Sequence, residues 1–373
     1  MAEPAQTSTE TATSPQELEY KRLMESLIAQ IEQEAYQDAR RTVGAILRLK
    51  PADEAALEAS AFLDEPRPAR ELVRCEGHTT WVNAVAFAED GRHAFSASGG
   101  TIRGDALADG DDCTIRLWDL ATGECLHRFE GHTALVTGVV CVPGKPFFVS
   151  SSRDGSVFLW DLDEKRRVRV FQKNKPAVMC LSMSADGSRL LTAGEDRVMS
   201  LWDLGSGNCV ARLGGHEAAV SAALLLRDGL HVLSASVDGT VRLWSLETSA
   251  EVNRLHEPGD DILCLAVSSD STTVYSGHAA HMIRRWDLGS GQASGRLDGH
   301  AAGVNSLALS RDGNVLVSAS ADTTLRIWNT AEGNEAARLE GHLDTVNCVT
   351  LSPDDRRCLT GSSDATVRLW QIQ

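Results

Sequence analysis

Serine, histidine and aspartate held at fixed separations are the residues from which an activated nucleophile is built, and this chain carries them many times over. His78, His132, His216, His300 and His342 each follow a glycine, and 18 residues after each stands Ser96, Ser150, Ser234, Ser318 or Thr360. Asp112, Asp154, Asp196, Asp238, Asp322 and Asp364 lie six residues before Trp118, Trp160, Trp202, Trp244, Trp328 and Trp370. A catalytic site is not built in six copies, so this recurrence argues for structure rather than hydrolysis. His256, His278 and His281 fall in one stretch and could contribute to a metal site, but no carboxylate or thiolate is spaced with them. The nine cysteines include no CxxC pair, which argues against a zinc knuckle or disulfide framework and for reduced thiols in a cytoplasm. There is no Gly-rich phosphate loop and no nucleophile unique to one repeat. The expectation is therefore no catalytic residue, no cofactor and no metal.

The elements that position these residues follow from their period. Tryptophan recurs at 118, 160, 202, 244, 286, 328 and 370, every interval being 42 residues. The Gly-His pairs lie on the same lattice, with gaps at Asn174 and Pro258, and the aspartate is replaced once, by Ala280. In the first repeat, twelve extra residues separate Ser96 from Asp112. Between the marks, short runs alternate apolar and polar residues (VNAVAF at 82–87, TVRLW at 240–244) and end in turns such as Asp-Gly. Each repeat thus reads as four short antiparallel strands.

This pattern resembles the WD-repeat family in seven repeats from about residue 69 onward. Trp-Asp stands at 118, 160, 202 and 286, whereas Trp244-Ser245, Trp328-Asn329 and Trp370-Gln371 depart from it. The resemblance implies a mainly β fold, a seven-bladed β-propeller. It also implies a buried hydrogen-bond chain in each blade: His132, Asp154, Ser150 and Trp160; His216, Asp238, Ser234 and Trp244; His300, Asp322, Ser318 and Trp328; His342, Asp364, Thr360 and Trp370. Such a chain satisfies every member, because carboxylate, imidazole, hydroxyl and indole supply matching donors and acceptors. Repeats 3 and 5, lacking the histidine, are expected to be looser. The seventh repeat ends at Gln373 after its third strand, and ARELVRCEGH at 69–78 matches GECLHRFEGH at 123–132, so residues 70–75 are expected to close the last blade.

Ahead of the ring the composition changes. Residues 1–13 read as a disordered leader. From 14 to 65 the pattern is a small α-helical extension, a helical hairpin or three short helices. Ser14-Pro15-Gln16-Glu17 reads as its capping box, and Tyr20, Leu23, Met24, Leu27, Ile28 and Ile31 as one apolar stripe. The stretch with Ala39, Val43 and Ile46 weakly resembles the second helix of a tetratricopeptide repeat. The propeller itself is expected over 66–373.

Acidic residues outnumber basic ones 52 to 36, for a formal charge of −16, which disfavours nucleic acid. No long apolar stretch speaks for a membrane. The reading is a non-enzymatic protein–protein interaction scaffold or adaptor whose rigid face meets a protein or peptide. The chain would be a monomer, or a dimer through its N-terminal helices. A ligand or metal sensor, or an enzyme with a channel site, is the alternative. Entry loops and aspartate turns must share one face, and its rim in blades 1 to 3 carries Trp81, Asn83, Leu135, Thr137, Arg153, Met179 and Glu195. Trp81, outside the lattice, makes these the expected hot spot. A second candidate is the basic run Lys165, Arg166, Arg167, Arg169, Lys173 and Lys175.

Overall fold

A computed structural model of the protein describes residues 15–32, 36–64, 69–103, 106–108, 110–172, 176–256 and 260–372. The leader, Ser14 of the capping box, and Lys173 and Lys175 lie outside these. The chain divides into two compact units, Met1–Arg67 and Pro68–Gln373.

The first unit holds α1 (Pro15–Glu32), α2 (Tyr36–Leu49) and α3 (Glu54–Asp64). Leu27, Val43, Ile46 and Ala56 form its buried core, and Tyr20, Leu23 and Met24 pack against it. Ile28, counted in the same stripe from its spacing, is exposed. It follows Leu27 by one residue and is therefore turned about 100° around the helix. Asp53 organises the start of α3. One carboxylate oxygen accepts the Ala56 N–H at 2.9 Å, and the other accepts the Tyr20 hydroxyl at 2.6 Å. No described helix is long and apolar enough to cross a membrane.

The second unit is a ring of seven four-stranded antiparallel sheets. In blades 1 to 6 the strands follow chain order from the innermost outward, as in blade 4 with Val220–Leu225, His231–Ser236, Thr240–Ser245 and Ala250–His256. Blade 7 takes Val346–Leu351, Arg357–Ser362 and Val367–Gln371 from the end of the chain and its outer strand, Arg70–Cys75, from the beginning. The closing strand is built like the others. Each outer pair of blades 1 to 6 has a register shift at the lattice tryptophan, and the pair Arg70–Cys75 with Val367–Gln371 shifts between Glu71 and Val73, opposite Trp370 and Leu369.

The core lies between blades. Val82, Val85 and Trp118 of blade 1, for instance, pack with Leu359, Val367 and Leu369 of blade 7. Further latches cross from one inner strand to the next. The Asn347 amide donates to Val82 O at 3.0 Å, Asn305 to Val346 O at 3.1 Å, and the Ser221 hydroxyl to Ile262 O at 2.5 Å. The twelve-residue insertion of blade 1 forms a small ladder, Thr101–Arg103 with Ala106–Ala108. It begins at Gly99 and Gly100 with φ of 144° and 87°. A Cβ on Gly99 would lie 2.4 Å from the Leu135 Cα, so the insertion can cross the entry of blade 2 only on glycine.

Candidate functional site

Five blades carry the hydrogen-bond chain at the lattice positions. In blade 6, His300 Nδ1 lies 2.8 Å from Asp322 Oδ2, His300 Nε2 lies 2.7 Å from Ser318 Oγ, and the Trp328 indole donates to Ser318 Oγ at 2.8 Å. Blades 1, 4 and 7 repeat it through His78, Ser96, Asp112 and Trp118, through His216, Ser234, Asp238 and Trp244, and through His342, Thr360, Asp364 and Trp370. Blade 2 varies it. His132 Nδ1 lies 2.8 Å from Ser156 Oγ and 3.3 Å from Asp154 Oδ2, while Ser150 Oγ joins His132 Nε2 to the Trp160 indole. The Asp322 carboxylate can only accept, so His300 Nδ1 carries a proton; in the neutral imidazole Nε2 then accepts from the Ser318 hydroxyl, whose oxygen accepts the Trp328 indole N–H.

The electrostatics agree with that tautomer. Burial pushes His78, His216 and His300 below the ordinary histidine value, outweighing the adjacent aspartates that pull them up. For Asp112, Asp154, Asp238, Asp322 and Asp364 burial works upward, yet hydrogen bonds from the histidine, the neighbouring hydroxyl and a loop N–H together hold each carboxyl well below the usual range. The same carboxylate also joins two pieces of backbone: Asp322 accepts the Ala301 N–H of the entry loop at 2.9 Å and the Thr324 N–H of its own turn at 3.0 Å. Ser318 is completely buried, out of reach of any substrate.

Blade 5, whose repeat lacks the histidine and the aspartate at their lattice positions, nevertheless holds a complete chain. His278 Nε2 lies 2.7 Å from Ser276 Oγ, Nδ1 lies 2.8 Å from Asp260 Oδ2, and the Trp286 indole donates to Ser276 at 2.8 Å. Histidine and aspartate have exchanged sides: the histidine sits on the hairpin, and the aspartate on the entry loop accepts the Ala280 N–H at 3.1 Å. The chain is complete but permuted, and it takes His278 out of any metal set. Among the described residues no three His, Cys, Asp or Glu side chains form a group able to hold a metal ion. In blade 3 the Trp202 indole meets Thr192 at 2.9 Å, and Asn174 lies outside the described residues.

Sequence reasoning missed one participant. An arginine two residues before the tryptophan at Arg116, Arg242, Arg326 and Arg368 runs beneath the chain. Arg242 reaches Asp238 at 3.3 Å and Glu251 of the outer strand at 3.0 Å, and Arg326 pairs with Glu335. The repeated Arg-x-Trp was the available signal. In blade 2 the position holds Phe158, whose ring stacks on His132 at 4.3 Å under the guanidinium of Arg167. That contact, and the bond of Arg169 to Leu204 O at 2.5 Å, give two members of the basic run structural work.

The rim residues separate into supports and surface. Each entry loop meets the following hairpin turn through the backbone, as where Arg153 N donates to Leu135 O at 2.9 Å and Glu195 N to Ala177 O at 3.0 Å. Leu135 is only 7% exposed and packs beside Gly100 and Trp81, which makes it a support rather than a contact. Asn83 spends its amide on Gly99 O at 2.8 Å, and Thr137 its hydroxyl on Val178 O at 2.7 Å, so both are latches. What faces outward is Met179 at 37% exposure, the half-buried Trp81, and the Arg153–Glu195 pair at 3.5 Å.

Comparison with known proteins places this geometry. The family described as WD domain, G-beta repeat (WD40) matches residues 69–103, 123–161, 165–203, 207–245, 250–287, 291–329 and 333–371. The chain belongs to the WD40 family. Curated relatives named "Probable E3 ubiquitin ligase complex SCF subunit sconB" from Aspergillus terreus and Aspergillus oryzae are 45% and 48% identical over 67 residues, 18% of this chain. The chain spans only 8% of the length of these relatives. WD40 propellers are in general non-enzymatic adaptors, and in this ring the recurrent polar chains stiffen the blades while the connecting loops stand on its faces.

Proposed function

We propose that the protein is a non-catalytic adaptor that captures a protein or peptide on the entry-loop face of blades 1 to 3. Trp81 carries the reading: it is the one tryptophan off the 42-residue lattice, it is held in place by Leu135 and the crossing at Gly100, and Met179 and the Arg153–Glu195 pair share its rim. An aromatic anchor over a preformed support, flanked by charge, is the composition of a binding hot spot. The relatives' names support assembly with other proteins as the common use of such repeats; with 8% of their length covered, the ligase complex itself is not carried over. The nine cysteines, none in a disulfide, support a reducing compartment such as the cytoplasm.

The test is affinity capture with the intact chain and with Trp81→Ala and Arg153→Glu. Each variant should lose most of the captured partner while its thermal midpoint stays near that of the parent. Unchanged capture by both moves the site away from this rim.

A further inference from the structure

The opposite mouth of the channel is built differently. There the inner strands of blades 3 to 6 end on Met183, Leu225, Val267 and Leu309, which floor a cavity of about 260 Å³. Arg227 and Arg311 stand on its lip, both exposed, and no ion pair or side-chain hydrogen bond engages either guanidinium among the described residues. Arg311 uses only its backbone N–H, which donates to Asp355 at 2.9 Å. In a chain of formal charge −16, these two guanidinia over an apolar floor are cationic groups of a face whose turns otherwise carry aspartates. A second cavity, of about 320 Å³, shares Ser271 with the first and is lined from blades 4 and 5 by Asp228, His231, Leu243, Asp287 and Leu288. Two cavities adjoining at Ser271 suit a segment of several residues better than a small ion.

We infer that this mouth is a second docking site, for a peptide segment that sets one large apolar side chain on the floor and one neighbouring carboxylate against Arg227 or Arg311. The surrounding charge limits how acidic the segment can be. Asp186, Asp228, Asp270 and Asp312 ring the same face, each turned back onto its own turn by an N–H at 2.8 to 3.0 Å. They are satisfied but still negative, so a polyacidic run is repelled while a single carboxylate beside the arginines is not. The site is independent of the entry-loop face.

The probe is a fluorescein-labelled, C-terminally amidated peptide, Ser-Gly-Asp-Leu-Phe-Gly-Ser, titrated by anisotropy against the full chain. Two comparators replace its aspartate by asparagine or its Leu-Phe by Gly-Gly. The parent peptide should bind saturably, and either comparator about tenfold more weakly, the scale of one charge-assisted contact or one buried side chain. Arg227→Ala/Arg311→Ala should weaken the parent peptide to the same degree, and Trp81→Ala should leave it unchanged. Absence of saturable binding, equal binding of the asparagine peptide, equal binding by the double variant, or loss in Trp81→Ala would each overturn the assignment. Because the arginines are exposed, thermal melts of the double variant should match the parent, and a large drop would count against the assignment as well.

Discussion

Ser318 sits where three polar groups meet, and its neighbours define what a single substitution does. Remove the imidazole of His300 and the Ser318 hydroxyl, the Asp322 carboxylate and the Trp328 indole lose a partner or its alignment while remaining buried. His300→Ala should therefore cost about 1–3 kcal/mol, the penalty for stranding buried polar groups, measurable as a fall in the denaturant midpoint. Acid should act through the same residues. His78, His216 and His300 have folded values below the ordinary one, so the unfolded chain binds more protons once pH falls through the ordinary histidine value of about 6.5. The ring aspartates, also depressed, add a second loss as pH falls through about 3.9, the unfolded aspartate value. The thermal midpoint should be flat between about pH 7 and 8, fall between about pH 7 and 5, and fall faster below about 4; a midpoint that rises on acidification would contradict the neutral imidazoles.

At the scale of the blade, the fifth repeat shows what a linear reading could and could not see. Pro258 and Ala280 occupy the positions of histidine and aspartate, and from position alone the blade appears to have lost its chain. The chain persists because the entry loop and the hairpin face each other across a short gap, so the two partners can trade sides with donor and acceptor still in line. Blade 5 should therefore exchange its backbone amides as slowly as blades 4 and 6, and His278→Ala should destabilise about as much as His300→Ala. Fast exchange in blade 5, with a near-neutral His278→Ala, would show the permuted chain to be inert. The period of 42 residues made the strands, the lattice tryptophans and the closing strand legible, because each is a local pattern repeated in register. Burial was not legible in the same way. Leu135, Asn83 and Thr137 have the residue types of a contact surface, and only the crossing at Gly99 and the neighbouring strand show that they are consumed as support.

For the whole ring the decisive contact joins residues almost three hundred positions apart. Arg368, with a side chain only 5% exposed, reaches Glu71 at 2.6 Å, the same bond that Arg242 makes with Glu251 inside one continuous repeat. The closing strand thus supplies backbone pairing from Arg70 to Cys75, a buried Cys75 in the core shared by blades 7 and 1, and the counter-charge for an interior guanidinium. Deleting residues 1–64 removes helices that have a core of their own and should leave a monomeric ring with a thermal midpoint near that of the full chain. Deleting residues 1–76 strips the outer strand from blade 7, bares the edge of Val367–Gln371 and leaves Arg368 without Glu71, so the product should aggregate or melt at much lower temperature. Glu71→Ala isolates the electrostatic part: it leaves the strand in place and should cost less than the longer truncation, by an amount close to that of Glu251→Ala in blade 4. If both truncations gave equally stable monomers by light scattering and calorimetry, the ring would not depend on its seam, and closure by the N-terminal strand would be a contact without consequence.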